Sequence, residues 1–327
     1  MNKYNDDSYA MLLLCSNLSL NKKDDILRPL TIVQWSKIAE KLIGLSLTPK
    51  NLLDMSSVQL KKDLSLNEDE TLRIQNLLAR SGQLGLAITD LSNQGINIIT
   101  RSDTDYPVIL KKKLKKYSPA IIYYAGNLDL IKQKSISVVG SRNIDDKALD
   151  FTVKLVKKCC NEGFCVVSGG AKGADTTAEN TAINEDCNAI TFVADSMSRK
   201  IKNIDVRQSI MKNKRLVMSA VHPDASFKSF NAMDRNKYIY TLSDYAIVVS
   251  SDYNKGGTWA GAKENIKNNW VPLFVRNDAD APEGNKKLLT EPEASAISID
   301  IVTNESIKIS EWFALSSKEK TSQIPLF

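Results

Sequence analysis

Between residues 136 and 275 the chain repeats one pattern, a short apolar run, a glycine-bearing loop and a stretch of helical periodicity, and few architectures accept that pattern. The runs lie at 136–139, 164–167, 189–193, 216–218, 246–249 and 271–275 and are rich in β-branched residues. Their separation, roughly 20 to 30 residues, leaves room for a crossover helix between strands that run the same way. The order predicts an α/β fold on a doubly wound, mostly parallel sheet. In such a sheet ligands bind beyond the carboxyl ends of the strands, so the residues directly after each run carry the functional reading.

The region before the repeats has another character. Residues 6–94 read as short amphipathic helices, with Trp35, Ile38, Ala39 and Leu42 at helical spacing and Leu77, Leu78, Leu84, Leu86 and Leu91 following suit. Thr48-Pro49 and Asn67-Glu68 suit helix caps or turns. The apolar run Gly95-Ile96-Asn97-Ile98-Ile99-Thr100 then enters a turn ending at Tyr106-Pro107, and the domain boundary is expected there. The expected organisation is a helical domain over 1–94, the sheet domain over 95–302, and a polar tail over 303–327 that ends in Gln323-Ile324-Pro325-Leu326-Phe327.

Three strand-end segments share a chemistry. Gly140-Ser141-Arg142 follows the first run: glycine admits an anion close to the backbone, serine adds a donor, and arginine can fork onto two phosphate oxygens. Ser168-Gly169-Gly170-Ala171-Lys172-Gly173-Ala174-Asp175 follows the second and opens a helix, so backbone amides, a positive dipole end and the charge of Lys172 can face a phosphate. It is neither a Walker loop nor a G-x-G-x-x-G fingerprint, and a tight βα turn with incidental glycines is its plain alternative. A third loop carries Gly256, Gly257, Thr258 and Trp259, while Arg235, Asn236 and Lys237 precede the fifth run. Trp259 either stacks a nucleic-acid base or packs against the sheet. Convergence of these segments on one crevice is the expectation, with phosphate as the ligand chemistry.

Taken together the segments resemble the DNA-processing protein A (DprA/Smf) family. Asp105-Tyr106-Pro107, Ala125-Gly126-Asn127, Val138 to Arg142, Val166 to Asp175, Arg235-Asn236-Lys237 and Gly256-Gly257-Thr258 match that family's motifs in order and spacing. The resemblance implies a Rossmann-like domain behind a SAM-like helical one, and a non-catalytic protein that binds single-stranded DNA, loads a RecA-type recombinase during DNA uptake and transformation, and works as a homodimer. It also implies that Arg142 and Lys172 grip the DNA backbone with Arg235 and Lys237 in support. Three places depart from the family pattern: Ala178-Glu179-Asn180 stands where Ala-His is usual, 195–203 lacks a tyrosine-proline turn, and Trp259 is unusual in its loop.

Two further readings remain open. The same sheet hosts nucleotide sensors, some in antiviral systems, and LOG-type phosphoribohydrolases. The latter use a glutamate three residues after the loop threonine; here that position is Gly261, which leaves hydrolysis without its acid or base. Gln323-Ile324-Pro325-Leu326-Phe327 resembles the peptide by which bacterial repair proteins dock on the sliding clamp, or packs on its own domain. Lys111-Lys112-Lys113-Leu114-Lys115-Lys116 beside Tyr117 either extends a nucleic-acid track or is a solvated face.

Composition narrows the classes. With 43% hydrophobic residues in 327 the chain can bury a sizeable core. An excess of 44 Lys and Arg over 38 Asp and Glu is compatible with a polyanionic partner without specifying one. The five cysteines include no C-x-x-C pair and His222 stands alone, which argues against a metal site, a disulfide framework and a histidine triad. No cofactor is implied. No apolar run approaches the about 20 residues of a membrane span, and Met1-Asn2-Lys3-Tyr4-Asn5-Asp6-Asp7 is too polar for a signal peptide, so a cytoplasmic protein is expected.

Overall fold

The computed structural model describes residues 4–20 and 27–321, with side chains through 317. The chain divides into two compact units, Met1–Ala125 with Ser219–Pro223 and Gly126–Met218 with Asp224–Phe327. Among the described residues no helix is long and apolar enough to cross a membrane, and no group of three or more His, Cys, Asp or Glu could hold a metal ion.

The first unit holds α1 (Asp6–Cys15), α2 (Ile32–Gly44), α3 (Ser57–Asp63), α4 (Glu68–Leu78), α5 (Ser81–Asn93), β1 (Asn97–Thr100), α6 (Val108–Leu114) and β2 (Ile121–Gly126). Its helices start where a short polar side chain can satisfy the first free amides. Thr31 with Gln34, Ser56 with Gln59 and Asn67 with Glu70 form reciprocal capping boxes, and Thr48 pairs with Asn51 ahead of a turn begun by Pro49. The faces so aligned bury Met11, Trp35, Leu42, Leu52, Leu60, Ile74 and Leu77 in one cluster. Arg80 is buried beside it, where its guanidinium donates to the carbonyls of Leu18 (2.8 Å), Leu77 (3.1 Å) and Leu13. β1 pairs antiparallel with β2, from Asn97 opposite Tyr124 to Thr100 opposite Ile121. This pairing draws residues 95–125 into the first unit, so the division falls after 125 rather than after 94.

The second unit alternates strand and helix: β3 (Ser135–Gly140), α7 (Asp146–Asn161), β4 (Cys165–Ser168), α8 (Ala174–Asn184), β5 (Ala189–Val193), α9 (Met197–Lys202), α10 (Ile204–Met211), β6 (Arg215–Ser219), α11 (Ser229–Thr241), β7 (Tyr245–Ser250), α12 (Gly256–Asn268), β8 (Leu273–Arg276), α13 (Glu283–Leu288), β9 (Ala294–Ile297), α14 (Ile299–Thr303) and α15 (Ile309–Thr321). The strands lie in the order β6-β5-β4-β3-β7-β8-β9. The β3 to β4, β4 to β5, β3 to β7, β7 to β8 and β8 to β9 pairs are parallel. Near-continuous burial of these strands is what helices on both faces require.

α7 shows the packing logic. Asp145 caps it by accepting the Ala148 amide (2.7 Å), and its stripe of Ala148, Phe151, Leu155, Val156 and Cys159 is buried against the sheet. Burying such a Phe or Leu contributes about 1.5–3 kcal/mol each, so an aspartate at Leu155 would break the layer. At the other side of the sheet Asn285, itself fully buried, accepts the Ser251 amide (2.8 Å) and donates to the carbonyls of Val249 (3.1 Å) and Arg276 (2.9 Å). One amide thus ties β7, its outgoing loop and β8.

The stretch from 303, which reads as a polar tail, instead carries α15. Ile309 and Phe313 are fully buried in the sheet's core cluster, and the Phe313 ring stacks on Tyr245 at 5.0 Å. The sequence hides this helix because its cap is remote: Glu162 accepts the amides of Ile309 (2.6 Å) and Ser310 (2.9 Å). Burial alone would raise the Glu162 carboxyl, but the Ser310 side chain, followed by these amides, holds it below the usual carboxylate range. Gln323, Ile324, Pro325, Leu326 and Phe327 lie outside the described residues.

Candidate nucleic-acid interface

Beyond the carboxyl ends of β3, β4 and β5 lies an open cleft of about 450 Å³. Arg142, Lys172, Arg199, Lys200 and Arg235 line it together with the single carboxylate of Asp195. Gly169, Gly170, Ala171, Ser196, Asn203 and Phe227 complete most of the wall. A cleft in which one sign of charge so outnumbers the other focuses its field and draws in an anion.

The first two loops are built against each other. The Ser141 amide donates to the Ser250 carbonyl of β7 (2.8 Å), and the Ser141 carbonyl accepts the first amide of α8, from Ala174 (3.3 Å). Gly173 sits at φ +88°, and a Cβ there would fall 2.4 Å from the Ser141 carbonyl oxygen and 2.5 Å from that of Arg142. Only glycine allows this approach. Gly140 is equally constrained, since its Cβ would lie 2.6 Å from that of Ala174. The Ser141 to Ser250 bond also carries the β3 to β7 ladder one residue past the end of β3, and the cleft lies over β3 to β5.

The α8 terminus is a less open cradle than its sequence suggests. Its Ala174 amide serves Ser141, its Thr176 amide donates to Ala171 (3.1 Å), and Asp175 turns inward to accept the Ala171 amide (3.4 Å). The Ser168 hydroxyl donates to the Val138 carbonyl (2.7 Å) and so joins two strands. Ligand chemistry in this loop therefore falls to exposed Lys172 and the glycine backbone.

Beneath the cleft lies a buried ionic set. Arg235 of α11 is 9% exposed; its guanidinium donates to the Phe192 carbonyl (2.8 Å) and occupies the space a side chain at Gly169 would need. Glu179, fully buried on α8, accepts from Arg215 (3.0 Å), and the Lys200 ammonium lies 4.0 Å from it. Burial pushes the Asp175 carboxyl up to about 6; Arg235 opposes that shift and Glu179 adds to it. Desolvation lowers the Arg235 guanidinium from its ordinary value, and Asp175 opposes this.

The remaining sequence-selected residues lie around rather than in the cleft. The Asn236 amide donates to the Gly257 carbonyl (2.9 Å), which ties α11 to the third glycine loop. Lys237 pairs with Asp234, and its ammonium stands 5.1 Å from the Tyr238 ring centroid. Gly256, Gly257 and Thr258 are not among the cleft-lining residues. Trp259 packs edge-on to Tyr253 at 5.2 Å, also away from the lining. At Gly261 a Cβ would come within 3.1 Å of the Tyr240 ring and 3.2 Å of Asn236, so a glutamate there would crowd both.

Three lining residues carry a signal that the strand-end loops alone do not. Arg199 and Lys200 come from α9, whose Met-Ser-Arg-Lys-Ile-Lys sequence is a compact basic helix directly after β5. Lys200 reaches toward the Gly170 carbonyl (3.5 Å). Phe227 comes from the loop between β6 and α11; it is 51% exposed, and the Arg142 guanidinium stands 5.2 Å from its ring centroid. An exposed ring beside cations suits the face of a nucleobase.

The family described as DNA recombination-mediator protein A matches residues 97–306. DNA processing protein DprA of Bacillus subtilis is 25% identical over 242 residues, covering 73% of this chain and 77% of that protein. DprA of Streptococcus pneumoniae is 30% identical over 140 residues, 42% of this chain and 49% of that protein. The X-ray structure of the Streptococcus pneumoniae protein superposes with a TM-score of 0.68 at 21% identity, covering 89% of this chain and 94% of that one. DNA processing protein A of Helicobacter pylori, for which a single-stranded DNA binding mode is described, gives 0.53 at 23% identity, covering 68% and 96%. At these identities the structural likeness speaks to fold.

Proposed function

Because the chain belongs to the DNA recombination-mediator protein A family, we propose that it binds single-stranded DNA in the cleft above β3 to β5 and passes the strand to a RecA-type recombinase. The observation that carries this reading is the gathering of Arg142, Lys172, Arg199 and Lys200 around two loops locked together at Gly173. Arg142 and Lys172, both exposed, take backbone phosphates. Phe227 stacks a base beside Arg142. Arg235 works from below, holding the Gly169 turn and the end of β5 in place rather than meeting the strand in the open. Asn236 and Lys237 support α11, and Gly256, Gly257 and Thr258 serve as the neighbouring loop. The protein acts without catalysis, as a cytoplasmic homodimer, and its terminal Gln323-Ile324-Pro325-Leu326-Phe327 docks on the sliding clamp.

Fluorescence anisotropy with a dT strand of about 20 nucleotides tests the site. Arg142→Glu with Lys172→Glu should lower the affinity at moderate salt and reduce the logarithmic salt slope by about 1.4, from about 0.7 per phosphate contact. Unchanged affinity and slope in a folded double variant would remove the cleft from the reading.

One observation favours a second reading. A volume of about 450 Å³ lies in the range of small-molecule sites, which suits a sensor holding a single nucleotide. Such a sensor would bind a mononucleotide as tightly as the strand and show no dependence on oligonucleotide length.

A further inference from the structure

The cleft leaves unexplained the densest run of positive charge in the chain, which lies in the first unit. α6 ends in Lys111, Lys112 and Lys113, and a single 3-10 turn of Lys115, Lys116 and Tyr117 follows it directly. Lysines in the last turn of a helix complement its dipole, which accounts for Lys111 to Lys113. It does not account for Lys115 and Lys116, which stand beyond the helix end.

Their backbone is held in an unusual state. Lys115 adopts φ +52°, ψ −123°, a conformation open to glycine and strained for any residue with a Cβ. Two buried serines clamp it. The Ser118 hydroxyl donates to the Lys115 carbonyl (2.9 Å), and the Ser36 hydroxyl of α2 donates to the Lys116 carbonyl (2.9 Å). Arg101 also reaches the Lys116 carbonyl (3.5 Å). Below the turn, Tyr106 is buried and donates its hydroxyl to the Pro119 carbonyl (2.7 Å). Such a backbone outlier, held by buried donors, is of the kind that clusters at functional sites.

The outcome is a rigid strip. Lys112, Lys115 and Lys116 are exposed. Tyr117 is 52% exposed, with the Lys116 ammonium 5.7 Å from its ring centroid. Cations interleaved with an exposed aromatic face are what a single strand needs: charge for successive phosphates and a ring on which an unpaired base can stack. A duplex keeps its bases stacked inside and has no use for the ring.

We propose that Lys112, Lys115, Lys116 and Tyr117 form a second single-strand contact surface, separate from the cleft in the second unit. It extends the reading under Proposed function, because it gives the same ligand a second point of attachment on the same chain. Two attachment points on one strand raise its affinity without any new contact in the cleft.

The test uses the full chain and a dT strand of about 30 nucleotides, titrated across a range of salt. Lys112→Glu/Lys115→Glu/Lys116→Glu should weaken binding at least tenfold and lower the salt slope by about 2, from about 0.7 per contact. The Lys→Gln triple variant should weaken it less, in the same direction. Tyr117→Ala should weaken binding about tenfold, as loss of one stacked base does, with the salt slope unchanged. Wild-type affinity and slope in the triple variants would overturn the proposal. A larger loss for a 30-base-pair duplex than for the single strand would overturn its choice of partner. Arg142→Glu/Lys172→Glu, measured alongside, reports on the cleft alone. Loss in the strip variant with none in the cleft variant sinks the cleft reading and keeps the strip; the reverse sinks the strip and keeps the cleft.

Discussion

Replacing Gly173 by alanine should separate the two phosphate-facing loops, because the new methyl has nowhere to go. At φ +88° an L-residue is strained by about 1–3 kcal/mol. The Cβ would also stand 2.4 Å from the Ser141 carbonyl oxygen and 2.5 Å from that of Arg142, where real contacts stay beyond 3.0 Å. Both obstacles are backbone, so the loops must part, and overpacking of this kind costs about 1–3 kcal/mol more. A loss of roughly 3–4 kcal/mol follows, about 10 °C in the melting temperature of a unit this size. Gly163 supplies the control. It too has positive φ, +78°, but its Cβ would meet nothing within 4 Å, so Gly163→Ala should cost only about 1 kcal/mol. Thermal melts and dT titrations of both variants separate strain from contact. The loops carry Arg142 and Lys172, so Gly173→Ala should also weaken single-strand binding at temperatures where it is still folded. Equal melting shifts in the two variants, or undiminished binding by Gly173→Ala, would refute the argument that the loops are locked at this point.

Two other consequences are open to measurement. The Asp175 carboxyl is pushed up to about 6 by burial, against 3.8 for an unhindered one. Between these values the folded chain holds a proton that the unfolded chain has released, so this group's contribution to stability falls as pH rises from about 4 to above 6, by about 3 kcal/mol in all. Asp175→Asn should remove that slope from the urea-unfolding free energy; parallel profiles for wild type and variant would contradict it. Phe227→Ala should weaken dT binding by about 1–3 kcal/mol if the ring stacks a base, while Trp259→Ala should leave affinity within about twofold, since Trp259 packs on Tyr253 outside the lining; a larger effect at Trp259 than at Phe227 would reverse the assignment.

What the sequence revealed and what it concealed divide by the range of the interactions. The strand runs at 136–139, 164–167 and 246–249 lie within β3, β4 and β7 or shifted from them by one residue, because buried parallel strands are written locally as β-branched residues. Gly173 was legible as a strand-end glycine, although the reason for it, the Ser141 and Arg142 carbonyls, comes from another loop. α15 was illegible because its first amides are satisfied by Glu162, some 147 residues earlier in the chain. Arg199 and Lys200 are marked in the sequence by charge density alone, three cations in four residues within a stretch, 195–203, that lacks the family's tyrosine-proline turn. Phe227 sits in a loop without periodicity, and only the fold brings it to Arg142.

The ionic set beneath the cleft has a consequence for descent. Asp175, Glu179, Arg215 and Arg235 are all buried, and removing one member of such a set strands the charge of another, a loss of about 3–5 kcal/mol, whereas exchanging partners together for well-packed apolar residues is often neutral. Single substitutions in this floor therefore cost stability that a paired exchange does not. Such a floor changes by compensating pairs, so a substitution at Glu179 should be tolerated only with a matching one at Arg215, its partner at 3.0 Å.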